Sequence, residues 1–117
     1  MYQYRARVLK VVDGDTVDLE VDLGFYTLTR LRFRLEGLDA PETNSSDPVE
    51  RSLAVKAKNR LIQLLPIAST CVLASTKTEK YGRWLATIWP GPSVSPTSIN
   101  EFLLQEGLAK PYTGGPR

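Results

Sequence analysis

Three strand-like runs follow one another within the first 35 residues with almost no chain between them. Residues 3–12 and 16–22 are separated by Asp13-Gly14-Asp15, which has the composition of a tight turn. A second turn around Leu23-Gly24-Phe25-Tyr26 leads into a third run from Thr27 to Leu35. All three are dominated by Val, Leu, Thr and aromatic residues, which suit a pleated, half-buried surface. A parallel crossover needs a dozen or more residues, so connections this short leave only antiparallel neighbours, a meander. In a meander the first turn and the exit of the third strand lie at the same end of the sheet.

The remaining chain supplies helices and two more strands. Asp47 has the chemistry of a helix N-cap, with Pro48 at the first helical position and Glu50 three residues on. Leu53, Ala54, Ala57, Leu61, Leu64 and Leu65 then recur at helical spacing until Pro66 stops the pattern. Thr70–Ser75 and Arg83–Trp89 read as a fourth and a fifth strand, followed by a rigid loop from Pro90 to Pro96. Ser98 and Glu101 form a capping box for a second helix, with Ile99, Phe102, Leu103 and Leu108 as its buried stripe and Gly107 at its end. The expectation is one domain over residues 1–112 and a disordered tail over 113–117. Its fold class is mainly β with helices (α+β by content), a five-stranded Greek-key barrel of the oligonucleotide/oligosaccharide-binding (OB) type with two main helices. The alternative is an open α+β sheet with both helices on one face.

Composition narrows the chemistry sharply. The chain has no histidine and a single cysteine, Cys71, in 117 residues. Ser-His-Asp and Cys-His nucleophiles, imidazole bases and Cys- or His-rich zinc sites are therefore excluded. What remains is carboxylate, Arg, Lys and Tyr chemistry, with a hard cation as the natural helper. No run approaches the ~18 apolar residues of a membrane span, so no membrane partner is expected. No leader is visible, which makes a cytoplasmic monomer the default expectation and an exported or phage-encoded origin the alternative.

Net charge is only +2, but the charges fall in blocks. Asp13, Asp15, Asp18, Glu20 and Asp22 occur without a base, and Arg30, Arg32 and Arg34 follow on one face of the third strand. Asp39 and Glu42, flanking Pro41, come just past that strand's end, where the meander brings them toward Asp15. Three carboxylates together resist ionisation without a counter-charge. A hard, oxygen-seeking cation would relieve them, Ca²⁺ first and Mg²⁺ behind it; an ion-pair network around Arg34 would do so equally. A third constellation, Lys80-Tyr81-Gly82-Arg83, has the chemistry to hold phosphate and stack on bases.

Asp13-Gly-Asp-Thr16, Arg34-Leu-Glu-Gly-Leu-Asp39-Ala-Pro-Glu42, Lys80-Tyr-Gly-Arg83 and Gly107-Leu-Ala-Lys110 stand in an order and spacing that resembles the staphylococcal nuclease (thermonuclease-like) family, from about Arg5 to Tyr112. The resemblance implies an OB-type barrel and a Ca²⁺-dependent endonuclease that hydrolyses DNA or RNA at the P–O5′ bond and leaves 3′-phosphate ends. It implies Asp15, Asp39 and the backbone carbonyl of Ala40 as metal ligands. Glu42 would then assist the attacking water, Arg34 and Arg83 would stabilise the developing charge, and Lys80, Tyr81 and, more remotely, Tyr112 would contact substrate. The alternative is a catalytically inactive barrel that binds nucleic acid or protein.

Overall fold

A computed structural model of the chain describes residues 2–78 and 84–112. The elements are β1 (Gln3–Asp13), β2 (Thr16–Asp22), β3 (Leu28–Leu35), β4 (Leu38–Asp39), α1 (Pro48–Leu64), β5 (Thr70–Thr78), β6 (Trp84–Pro90), α2 (Ile99–Gln105) and β7 (Lys110–Pro111). Five of the strands close into a barrel in the order β1-β2-β3-β6-β5, as the strand count and spacing predict. The β1–β2–β3 meander is antiparallel, β3 pairs β6 in parallel, and β5 pairs both β6 and β1 to complete the closure. The closure is narrow at one seam, where β3 meets β6 only over Phe33–Leu35. Register shifts in β1 after Val8 and Val11 mark where it bends around the barrel.

Alternation along the strands fills the interior. Val8, Val17, Leu19, Val21, Phe33, Leu35, Cys71, Leu73 and Ile88 form the core, with Leu61 and Leu65 of the α1 end and Ile99 and Leu103 of α2 packed against it. Burial pushes the Cys71 thiol up to about 12, so it is a small hydrophobe here rather than a nucleophile.

Two helix details depart from expectation. The buried stripe of α1 is narrower, Ala54, Ala57 and Leu61, while Leu53 is 48% exposed. Small residues face inward because α1 lies directly on the β1–β2 turn. A Cβ added to Gly14 would sit 2.8 Å from the Cβ of Ala57 and 3.0 Å from that of Ala40. The N-cap is also relayed. Asp47 accepts from Val49 N, but Glu50 accepts from the Ser45 hydroxyl, which in turn accepts from Asp47 N. Helix α2 is capped as expected, Ser98 Oγ accepting from Glu101 N at 3.2 Å, and Gly107 follows with φ 73°.

Two further devices fix the segment after β3. Asn100, buried in α2, donates to the carbonyls of Glu36 and Ala86 and accepts from Ile88 N, tying the exit of β3 to β6. The short β4–β7 sheet pairs Leu38 with Pro111 and Asp39 with Lys110, and Tyr112 N donates to Gly37 O at 2.9 Å. Leu38 is fully buried. Among the described residues no helix is long and apolar enough to cross a membrane.

Candidate active site

The charge blocks resolve into a cross-strand ladder on the outer face of the hairpin formed by β2 and β3. Register places Thr16 opposite Arg34, Asp18 opposite Arg32 and Glu20 opposite Arg30. Arg32 binds Asp18 through two nitrogens, a pairing that raises its already high pKa. Arg30 and Arg7 both reach Glu20. The arginines of these rungs are half or more exposed, while Asp18 and Glu20 lie flatter on the sheet, so the pairs are screened on one side.

The last rung differs. Asp15 lies one residue before β2, buried under α1 and the segment that follows β4. Its Oδ1 accepts from Thr16 Oγ1 at 3.0 Å; its Oδ2 accepts from Arg34 Nη2 at 2.9 Å and from Ala40 N at 3.0 Å. The same Arg34 nitrogen also donates to Asp39 Oδ1. One guanidinium corner therefore bridges two carboxylates that belong to segments 24 residues apart in sequence. Arg34 is itself nearly enclosed, its side chain 12% exposed, and its Nε is buried without a hydrogen-bond partner among the described residues.

This triad forms one wall of an open cleft of about 390 Å³, lined also by Val12, Asp13, Arg32, Glu42, Thr43 and Asn44. Asp15, Arg34, Asp39, Ala40 and Glu42 are thus gathered at one place, as the meander predicts, with Glu42 exposed on the cleft surface. The carboxylates do not form a cluster by themselves: among the described residues no group of three or more His, Cys, Asp or Glu side chains is arranged to hold a metal ion. Arg34 supplies the counter-charge between Asp15 and Asp39 instead. Ala40 meets Asp15 through its N–H. Tyr112 is half-buried, anchored through its backbone to Gly37, and does not line the cleft. Lys80, Tyr81 and Arg83 lie outside the described residues.

Several positioning residues carry little signal in the sequence. Thr16 is adjacent to Asp15, yet only burial reveals that its hydroxyl satisfies that carboxylate. Gly14 reads as a turn glycine, but what demands it is the close approach of Ala57 and Ala40. Asn100 sits beside Ile99 on a helix and looks like a surface residue. Lys110-Pro111 has no strand pattern of its own, yet it pins Leu38-Asp39.

The chain is also similar in sequence to known proteins. The family described as staphylococcal nuclease homologue matches residues 32–116, most of the chain. A micrococcal nuclease of Shigella flexneri is 29% identical over 93% of the chain and 59% of its own length. The protein ParB of Escherichia coli is 28% identical over 94% of the chain and 58% of its own length. A thermonuclease of Staphylococcus hyicus is 32% identical over 89% of the chain and 57% of its own length. The chain thus spans somewhat under three-fifths of each of these relatives. With more than half of its length matched by the family, this chain belongs to the staphylococcal nuclease homologues.

Proposed function

We propose that the chain is a divalent-cation-dependent nuclease that hydrolyses phosphodiester bonds of DNA or RNA in the cleft beside Arg34. The observation that carries this reading is the buried guanidinium. Its Nε lacks an acceptor among the described residues while its Nη2 holds two carboxylates. A buried, unsatisfied charged donor is costly, and an acceptor brought by a bound ligand would relieve it. Phosphate oxygens are the natural acceptors for an Arg edge.

The donor set fits a hard cation. It consists only of oxygens, and two carboxylate oxygens already lie within bonding reach of a single positively charged nitrogen. Asp15 and Asp39 would hold the ion, with the Ala40 carbonyl as a third ligand, and Ca²⁺ suits them better than Mg²⁺. When bound, it would offset phosphoryl charge and lower the pKa of water.

The remaining roles belong to the chain's own side chains. Glu42 accepts a proton from the water whose oxygen attacks phosphorus. Arg34 and Arg83 supply fixed positive charge as negative charge builds on the phosphoryl oxygens. Lys80 and Tyr81 hold a neighbouring phosphate or sugar, with a weaker contribution from Tyr112. The P–O5′ bond breaks, the phosphate stays on the 3′ side, and the leaving oxygen takes its proton from solvent, since the chain has no imidazole to supply one. Activity is expected to rise from pH 6 to pH 9 as the attacking water loses its proton more readily.

One observation favours the rival, a non-catalytic barrel that binds nucleic acid or protein: Arg34 already neutralises Asp15 and Asp39. Incubating single-stranded DNA, duplex DNA and RNA with the protein in Ca²⁺, Mg²⁺ or EDTA separates the two. The nuclease reading expects cleavage that depends on the cation; equal inertness under all three conditions favours the binding module.

A further inference from the structure

The side chain that spans Asp15 and Asp39 does more than neutralise them. Arg34 engages both carboxylates through one nitrogen, Nη2, rather than through the two-pronged edge that arginine presents to a carboxylate in its preferred pairing. Its Nε is left buried and without an acceptor among the described residues. Arg32, two residues earlier on the same strand, shows the alternative: its Nε and Nη2 each find an oxygen of Asp18. Arg34 therefore sacrifices a good fork geometry to put a positive charge between Asp15 Oδ2 and Asp39 Oδ1.

Asp15 keeps its other partners however Arg34 is placed. Thr16 Oγ1 holds Oδ1, and Ala40 N holds Oδ2. The carboxylate is thus pre-oriented, and only its positive partner is exchangeable.

We propose that Arg34 is a tethered counter-ion that occupies the cation's position between Asp15 and Asp39, so that a divalent cation binds only by displacing Nη2. The inference rests on the reading of Asp15 and Asp39 as cation ligands. Arginine and cation are alternative partners for the same two oxygens. The intrinsic affinity of those oxygens for a cation is consequently reduced by the fraction of molecules in which Arg34 is in place. Displacement also frees Nη2, which with Nε makes one two-pronged edge of the guanidinium.

The test is calorimetric titration of the full chain with CaCl₂ in the absence of nucleic acid. Arg34→Met and Arg34→Gln are each expected to bind Ca²⁺ at least tenfold more tightly than the unmodified protein. Arg30→Met removes the same charge two rungs away, from an arginine that pairs with Glu20 and does not line the cleft, and is expected to change affinity less than twofold. Equal tightening by Arg30→Met and Arg34→Met would reduce the effect to a general field and overturn the proposal. So would unchanged affinity in the Arg34 variants. If the unmodified protein and the folded Arg34 variants all fail to bind Ca²⁺, the reading of Asp15 and Asp39 as ligands falls with it.

Should the variants not fold without cation, side-chain NMR of the unmodified protein decides. The Arg34 guanidinium signals are expected to shift during Ca²⁺ titration in step with the carboxyl carbons of Asp15 and Asp39. Carboxyl carbons that move while the guanidinium signals stay fixed would overturn the exchange.

Discussion

The hairpin of β2 and β3 has two ends built from similar residues that do opposite things. At one end Asp15, Thr16 and Arg34 are buried or nearly so, and both oxygens of Asp15 are hydrogen-bonded. At the other end the chain turns through Leu23, Gly24, Phe25 and Tyr26, with Phe25 and Tyr26 at 99% and 106% exposure and both in the left-handed region, φ 55° and 59°. Between them run the Asp18–Arg32 and Glu20–Arg30 rungs, whose arginines are half or more exposed. An acid–arginine pair on this ladder is therefore not in itself a site. What makes the last rung special is what covers it: Ala57 of α1 against Gly14, and the β4–β7 sheet holding Leu38 and Asp39 in place. Burial turns a weak surface pair into a fixed charge arrangement.

The contrast can be broken first by activity. Arg34→Ala and Glu42→Gln should each lower cleavage by about 10²–10³-fold, the usual loss for a group that stabilises a transition state, while Arg30→Ala, near the tip, should retain it within about twofold. Steady-state rates on a single-stranded oligonucleotide in Ca²⁺ check this. Comparable losses at both rungs would mean that the whole ladder serves substrate.

Stability should divide the hairpin in the same way. Asp15→Ala strips Arg34 of its most buried partner and is expected to cost about 3 kcal/mol, the range for breaking a buried pair. Arg30→Ala, which removes a side chain 73% exposed, should cost under ~1 kcal/mol. Urea denaturation of the two variants gives both values.

Gly14→Ala comes next, at about 1–3 kcal/mol for overpacking against Ala57 and Ala40. Chemical-shift changes should concentrate at Asp15 and Ala40, because the clash sits directly behind them. At the tip the sign reverses. Tyr26→Gly removes a left-handed side chain and is expected to stabilise by up to ~1 kcal/mol without affecting activity.

The smallest effect lies away from the hairpin, at Arg60–Glu106, which is bidentate and exposed. The hydrogen bond from Arg60 lowers the Glu106 pKa from its usual 4.5. A depressed folded-state pKa contributes stability above the unfolded value and loses it as pH falls through the folded one. The Tm difference between unmodified protein and Arg60→Ala should therefore shrink on acidification below pH 4.5.

Much of this was legible beforehand because it is written locally. Alternation placed the five barrel strands, and Ser98 and Gly107 bracket the second helix as their chemistry predicts. Meander geometry accounts for Asp15, Arg34, Asp39 and Glu42 meeting at one cleft. The unread parts are all long-range. Nothing near Leu38-Asp39 announces pairing with Lys110-Pro111, and nothing around Asn100 announces three hydrogen bonds to β6 and the exit of β3. Leu53 fits a helical stripe, but the surface it would cover is already closed by Ala54 and Ala57. Whether a hard cation or an ion-pair network around Arg34 offsets Asp15 and Asp39 stays open in the sequence, and only tertiary placement shows Arg34 in contact with both.

The most direct test of the central claim is end-group analysis of a defined oligonucleotide incubated with the protein. With Ca²⁺ the account predicts fragments that carry 3′-phosphate and 5′-hydroxyl ends, and none in EDTA or with Arg34→Ala. Fragments with 5′-phosphate ends, or cleavage that persists in EDTA, would contradict it.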